Sequence, residues 1–275
     1  MPGVAGAMRR VQSPIRGGVE LPINHLGKRR PRPGGSVPAV ATPEDEYAPI
    51  LSGPGESDYE RYLRTDELLA LQKGPDEWVH RDELLFQTVH QSSELWLKHA
   101  WVEAEEATRL VEARDLGAAN RLLRRACLAL KYVEGFLEHL ELMSPWEYQE
   151  VRRVLGHGSG FDSPGFREIR RISPPLYAAF EAVFRERGLS LLEVYTRGRE
   201  HEELYQLAES LTEWDGRVGV WRFRHFKVVA RIIGEDVVGT QGTPVELLAG
   251  LIKHKMFPEL WTVRTQLTEL AKESD

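Results

Sequence analysis

Between Trp221 and Gly234, apolar residues recur at helical spacing. Trp221, His225, Val228, Val229 and Ile232 fall at i, i+4, i+7, i+8 and i+11, one stripe of a helix, while Arg222, Arg224, Lys227 and Arg231 lie largely off it. The pattern sets a single imidazole in an otherwise apolar seam. Two readings are open at this point: a core histidine satisfied by its neighbours, or an axial ligand that meets a metal from a dry wall.

The same period runs through most of the chain. Residues 59–69 repeat apolar positions at three and four, with Thr65 or Asp66 as a candidate cap. A long helix is expected from His80 past Ala107, with Leu85, Val89 and Trp96 near one stripe and Phe86 and His90 sharing a face. Residues 115–143 predict a further amphipathic helix. Ser144 then caps, and Pro145 opens, a helix to about Leu155 that puts Tyr148 and Arg152 on one face. Separate helices are expected over 174–186 and 199–213, ahead of the His225 helix, and a last apolar helical stretch carries Phe257-Pro258-Glu259-Leu260-Trp261. Glycine-rich loops at 156–165 and 239–242 interrupt the pattern. Strand-like alternation is nearly absent and no internal repeat occurs. The expectation is an all-α fold, a single-domain helical bundle over residues 43–275.

Composition changes the picture mainly at the N-terminus. Residues 1–40 carry seven Lys or Arg and one Glu, in a Gly- and Pro-rich context with no period. A segment of this kind cannot offset its ordering entropy by burial, so residues 1–42 are expected to form a disordered basic tail. A phosphate-binding or targeting arm, and an upstream start with Met8 as the true one, stay open. The whole chain of 275 residues has a net charge of −6, which argues against nucleic-acid binding. Its 41% hydrophobic and 28% charged residues are ordinary for a globular domain. No apolar run approaches the roughly 18 residues that cross a bilayer, so a cytoplasmic protein without membrane attachment is expected. The lone cysteine, Cys127, excludes an internal disulfide or a multi-cysteine metal site, and its apolar helical run predicts a buried, inert thiol.

Candidate chemistry concentrates in three places. His90, with Phe86 beside it and Glu94 one turn on, is either a structural histidine or a pocket residue that hydrogen-bonds a substrate N–H or bound oxygen. Tyr148 with Arg152 is either a surface pair or a clamp whose guanidinium fork grips a carboxylate. The two glycine-rich loops lack a preceding strand and a following Lys-Ser/Thr, so they suit a lid or substrate clamp better than a nucleotide site. No nucleophile triad, His-Glu-x-x-His or facial-triad spacing appears among the nine histidines. His254 reads as part of a solvated charge run and His201 as an exposed helix residue.

Taken in order, these blocks resemble the tryptophan 2,3-dioxygenase family. The resemblance rests on Tyr59-x-x-Tyr62-Leu63, Asp82-Glu83-x-Leu85-Phe86-x-x-x-His90-Gln91-x-x-Glu94-Leu95-Trp96, and Met143-x-Pro145 with Tyr148-x-x-x-Arg152. It continues through Ser159-Gly160-Phe161-x-Ser163-x-x-Phe166-Arg167, His225-x-x-x-Val229-x-Arg231-x-Ile233-Gly234, Gly239-Thr240-x-Gly242 and Phe257-Pro258-Glu259-Leu260-Trp261. It implies an all-α protein binding haem b, assembled as a homotetramer, that inserts both atoms of O2 across the indole C2=C3 of L-tryptophan to give N-formylkynurenine. By that resemblance His225 is the axial ligand of the haem iron and His90 the distal residue that contacts the indole N–H. Phe86, Leu155, Tyr59, Tyr62 and Leu63 wall the indole, the tyrosine segment coming from a neighbouring subunit. Arg152 and Tyr148 hold the carboxylate, Thr240 engages the amino-acid head group, and Ser159 lies on the haem side. Trp221, one turn before His225, is expected to line the cofactor with it.

The chain also departs from the family pattern. Gly239-Thr240-Gln241-Gly242-Thr243 stands where members usually read Gly-Thr-Gly-Gly-Ser, with one extra residue after Gly234, and the stretch from Phe161 to His225 is tens of residues short. Two alternatives therefore accompany the dioxygenase reading: an oxygenase forming a 2-oxindole from tryptophan or β-methyltryptophan, and a non-catalytic haem- or indole-binding module.

Overall fold

Helices carry almost all the regular structure of the computed structural model, which describes residues 47–273. The basic segment expected to be disordered, 1–42, lies outside them. In chain order the helices are α1 (Asp58–Leu63), α2 (Thr65–Leu69), α3 (Asp82–Glu112), α4 (Leu116–Leu140), α5 (Pro145–Val154), α6 (Pro164–Glu186), α7 (Leu191–Thr196), α8 (Glu202–Ile233), α9 (Glu246–Ile252) and α10 (Pro258–Glu273). A 3-10 turn covers Gly160–Asp162, and the only β-bridge among the described residues joins Val238 to Pro244. The expected all-α class holds. No described helix is long and apolar enough to cross a membrane.

Two compact units divide at Tyr62 and Leu63. In the first, the Asp58 carboxylate accepts the backbone N–H groups of Ile50 and Leu51, and Arg61 donates to the carbonyls of Gly55 and Leu51. These bonds close a short loop onto the start of α1 without any buried side chain in the helix.

The second unit is organised by four long helices. α3 packs on α4 and α6, and α4 packs on α8. Ala100, Ala104, Ala107 and Val111 of α3 and Ala119, Leu123, Ala126, Leu130 and Val133 of α4 follow the helical period and are buried. Small residues on both faces let the two backbones approach closely, and Phe180, Leu207, Leu211 and Trp214 complete the main core. A smaller cluster of Val89, Leu137, Leu140, Met143, Val151, Val228 and Ile232 lies at the other end. Cys127 is buried as expected, and burial pushes its thiol up, so it stays protonated.

Several elements differ from the sequence expectation. The helices expected at 199–213 and around His225 are one rod, α8, of 32 residues. The helix runs on past 213 through Gly216 and Gly219 because Leu211, Trp214, Asp215 and Val218 are buried on one stripe, and that burial outweighs roughly 1 kcal/mol per glycine. α6 starts at Pro164, ten residues before the expected 174, and runs through Pro174 and Pro175. Both prolines are exposed, while Ile169, Ile172, Leu176, Phe180 and Val183 keep the buried stripe continuous across them. The N-cap of α2 is Arg64 in the left-handed region, not Thr65 or Asp66. Trp96 turns partly outward and packs at a tilt against Tyr132 with ring centroids 5.0 Å apart, so it does not continue the Val89 stripe. His201 is not an exposed helix residue: it caps α8, and its Nε2 is buried without a hydrogen-bond partner among the described residues.

One close approach fixes the geometry below. Ser163 caps α6 by accepting the Phe166 N–H, and its hydroxyl donates to Glu94 Oε1 of α3. The second oxygen of Glu94 accepts the Gly165 N–H at 2.8 Å, a carboxylate seated at a helix N-terminus. A Cβ at Gly165 would sit 2.5 Å from Leu97 Cβ and 2.7 Å from Glu94 Oε2. Gly165→Ala is expected to cost about 1–3 kcal/mol by overpacking, seen as a lower urea midpoint at unchanged m-value. An unchanged midpoint would show that the α3–α6 contact yields freely.

Candidate active site

α3, α5, α6 and α8 converge with the two glycine-rich loops around a cavity of about 750 Å³, within the range of clefts that hold small ligands and cofactors. Phe86, His90, Tyr148, Arg152, Leu155, Ser159, Trp221, His225 and Thr240 all line it. Apolar walls come from Leu140, Val218, Val228, Val229, Ile232 and Phe166. Leu63 is exposed and is not among the lining residues; Tyr59 and Tyr62, in the first unit, are 69% and 78% exposed.

His225 stands in the α8 wall. Its ring stacks on Trp221 at 4.8 Å and 10°, and Trp221 packs in turn on Phe166 at 3.9 Å. The imidazole therefore has a fixed plane. Neither of its ring nitrogens has a hydrogen-bond partner among the described residues. Burial, with a smaller contribution from His90, pushes its pKa down to about 4, so the ring is neutral at pH 7 with a free lone pair. Gly160 passes beside the ring, and a Cβ there would fill the space 3.8 Å from Cε1 and Nε2.

His90 faces the same cavity from α3. Its Nδ1 lies 2.7 Å from the Phe86 carbonyl oxygen, which can only accept, so Nδ1 carries the proton and Nε2 is left with the lone pair. Burial lowers the His90 pKa, partly offset by the Phe86 carbonyl bond and by Glu94. Phe86 covers the imidazole, with centroids 4.0 Å apart, and stands 6.1 Å from the Tyr148 ring. The result is a neutral acceptor framed by aromatic carbon.

Ser144 accepts the Glu147 N–H and so sets the start of α5, which carries Tyr148 and Arg152 one turn apart. Burial raises the Tyr148 pKa, with Arg152 opposing it, so the phenol remains a donor. Arg152 Nη2 donates to the Val238 carbonyl at 2.6 Å, and Thr240 Oγ1 donates to the Gly158 carbonyl. Gln241 Nε2 donates to Asp162 Oδ2 at 2.6 Å. Within its own turn Asp162 also accepts the Ser159 N–H, and Ser159 Oγ accepts the Phe161 N–H, a capping box. The loop after α8 is thus folded over the Ser159 turn.

The tryptophan 2,3-dioxygenase family model matches residues 50–172 and 180–267. The chain belongs to the tryptophan 2,3-dioxygenase family. A family member from Caulobacter vibrioides is 33% identical over 260 residues, taking in 76% of this chain and 98% of the relative. Those from Bacillus thuringiensis subsp. konkukian and from a Polaromonas species are each 32% identical, over 76% and 83% of this chain and 92% and 95% of theirs. All three are named tryptophan 2,3-dioxygenase. The family match is interrupted at 173–179, inside the stretch that reads as short between Phe161 and His225.

For a tryptophan 2,3-dioxygenase family member, the cavity also contains groups to which the sequence reading gave no place in the site. Phe166, Arg170, Arg222, Met143 and His254 line it. Arg222, read as lying off the His225 stripe, stands in the wall because it precedes His225 by three residues, and Arg170 follows Phe166 by four, so each shares a helix face with a neighbour there. Arg222 donates to the His254 carbonyl at 2.9 Å, so His254, read as part of a solvated run, contributes its backbone to the cavity end.

Proposed function

We propose that this chain is a haem-dependent oxygenase that adds both atoms of O2 across C2=C3 of the indole of L-tryptophan, giving N-formylkynurenine. The observation that carries the proposal is the neutral imidazole of His225, without a hydrogen-bond partner among the described residues, facing one cavity with His90 and the Tyr148–Arg152 pair. Family membership and the names of the relatives support it.

The donor set suits a haem. No group of three or more His, Cys, Asp or Glu that could hold a bare metal ion occurs among the described residues. A haem would bring four nitrogens of its own and would ask of the protein a single imidazole in a dry wall. His225 would be that ligand, with Trp221 holding the ring plane and Gly160 keeping the space beside Nε2 clear of side chain. When bound, the ferrous group would supply binding and activation of O2.

The remaining work falls to the protein. Arg152 would exchange the Val238 carbonyl, and Thr240 the Gly158 carbonyl, for the carboxylate and head group of the amino acid, with the Tyr148 phenol as a further donor. His90 Nε2 would accept the indole N–H, its tautomer already fixed by Phe86. Phe86 and Leu155 would flank the ring, and the apolar walls would exclude water. Holding one edge of the indole in register replaces a bimolecular encounter by a positioned one. Both oxygen atoms end in the product as the C2=C3 bond breaks, so the balance needs no external reductant. The exposed Tyr59, Tyr62 and Leu63 would serve a neighbouring copy in a homo-oligomer, and the protein would act in the cytoplasm.

The test is product mass after L-tryptophan and labelled O2 are given to the reduced, haem-loaded protein. Two labelled atoms in one product are expected. One labelled atom, with dependence on added reductant, would replace the dioxygenase by the 2-oxindole-forming alternative, and no product with a normal Soret band would leave a binding module.

A further inference from the structure

Three hydrogen bonds tie the loop after α8 to α5 and the Ser159 turn among the described residues: Arg152 to Val238, Thr240 to Gly158, and Gln241 to Asp162. Under the function proposed above, on which this inference rests, the first two use donors that the amino acid must take. When it binds, the single Thr240 hydroxyl proton leaves the loop tie, and the Arg152 tie weakens as the guanidinium turns toward the carboxylate. The third involves neither Arg152 nor Thr240. Gln241 occupies the position at which the family resemblance expects a glycine, and a glycine has no side chain with which to reach Asp162.

We infer that Gln241 is a positioning residue: its amide, held by Asp162, keeps Thr240 over the cavity while Thr240 and Arg152 pass from main-chain carbonyls to the substrate. The local structure supports a rigid tie. Gly239 N–H donates to the Thr243 carbonyl at 2.8 Å and Gly242 N–H to the Gly239 carbonyl at 3.0 Å, so residues 239–243 form one closed turn, with Gly242 at φ 74. Gln241 is at the centre of that turn. Asp162 is itself anchored, since it also accepts the Ser159 N–H at 3.3 Å within the 3-10 turn. A turn closed on itself and pinned at its middle moves as a unit, so one side-chain bond sets the place of Thr240. The amino acid then meets a loop that is already ordered, and the ordering cost is not charged against its affinity.

The experiment uses the full-length, haem-loaded protein in four forms: wild type, Gln241→Ala, Gln241→Glu and Gln241→Lys. Amide hydrogen exchange of residues 239–243 is read without substrate, and kcat and KM for L-tryptophan are read separately. Gln241→Ala is expected to speed exchange of the Gly239 and Gly242 amides and to raise KM about three- to tenfold, the value of one net hydrogen bond, with kcat within about twofold. Gln241→Glu sets two carboxylates face to face and is expected to be worse. Gln241→Lys keeps a donor toward Asp162, whose bond to the Ser159 N–H stays as it is, and is expected to recover both readouts. Unchanged exchange in Gln241→Ala, a fall in kcat as large as the rise in KM, or no recovery in Gln241→Lys would each overturn the inference. Should wild type show no turnover of L-tryptophan, the functional reading fails on its own, and the exchange data still decide whether Gln241 holds the loop.

Discussion

His225→Ala is expected to lose the Soret band at haem concentrations that saturate the wild type, while its far-UV circular dichroism stays helical. The first half follows from the donor set: this imidazole faces the cavity from an apolar wall, with no other partner for its lone pair among the described residues. The second half follows from its position. His225 lines a void, and the buried contacts of α8 are made by Leu207, Leu211, Trp214, Val218, Val228 and Ile232. Truncation therefore removes a ligand and the stacking on Trp221, and leaves the core intact. Added imidazole should restore part of the band by entering the space left behind. Full haem occupancy in the variant without added imidazole would remove His225 as the ligand and with it the haem chemistry proposed here.

The second large effect is expected at Arg152. Arg152→Ala should raise KM for L-tryptophan by roughly ten- to a hundredfold, because hydrogen bonds to a charged group contribute about 1.5–3 kcal/mol. The kcat should change much less if the clamp grips ground state and transition state alike. Arg152→Lys should recover little, since an ammonium cannot present two parallel donors to one carboxylate. Tryptamine, which lacks the carboxylate, supplies the control: wild type and variant should handle it equally poorly. A KM for L-tryptophan that stays at the wild-type value would dissociate Arg152 from the head group and leave it only its bond to Val238.

The helices around the site were legible because their signals are local. Ser144-Pro145 marks the start of α5, and the i, i+4 spacing of Phe86 with His90 and of Tyr148 with Arg152 is all that is required to set each pair on one face. The stripe from Trp221 to Ile232 likewise placed His225 on the wall it occupies. What failed did so for tertiary reasons. The expected end at 213 falls where the burial of Trp214 and Val218 carries the helix on across Gly216 and Gly219, and the expected start at 174 falls at Pro174-Pro175, across which the stripe of α6 is continuous. His201 read as exposed because nothing in its neighbourhood reports how α8 begins. The partners of Gln241 and Thr240 are some eighty residues distant in the chain, and no periodicity encodes a contact of that range.

The length of α8 has a consequence for the far end of the chain. Asp215, buried on this rod, accepts the backbone N–H groups of Met256 and Phe257 and the indole N–H of Trp261, and so fastens the entry to α10. His225 lies ten residues further along the same rod, about 15 Å at helical rise. The carboxy-terminal helix and the imidazole are thereby hung from one and the same element.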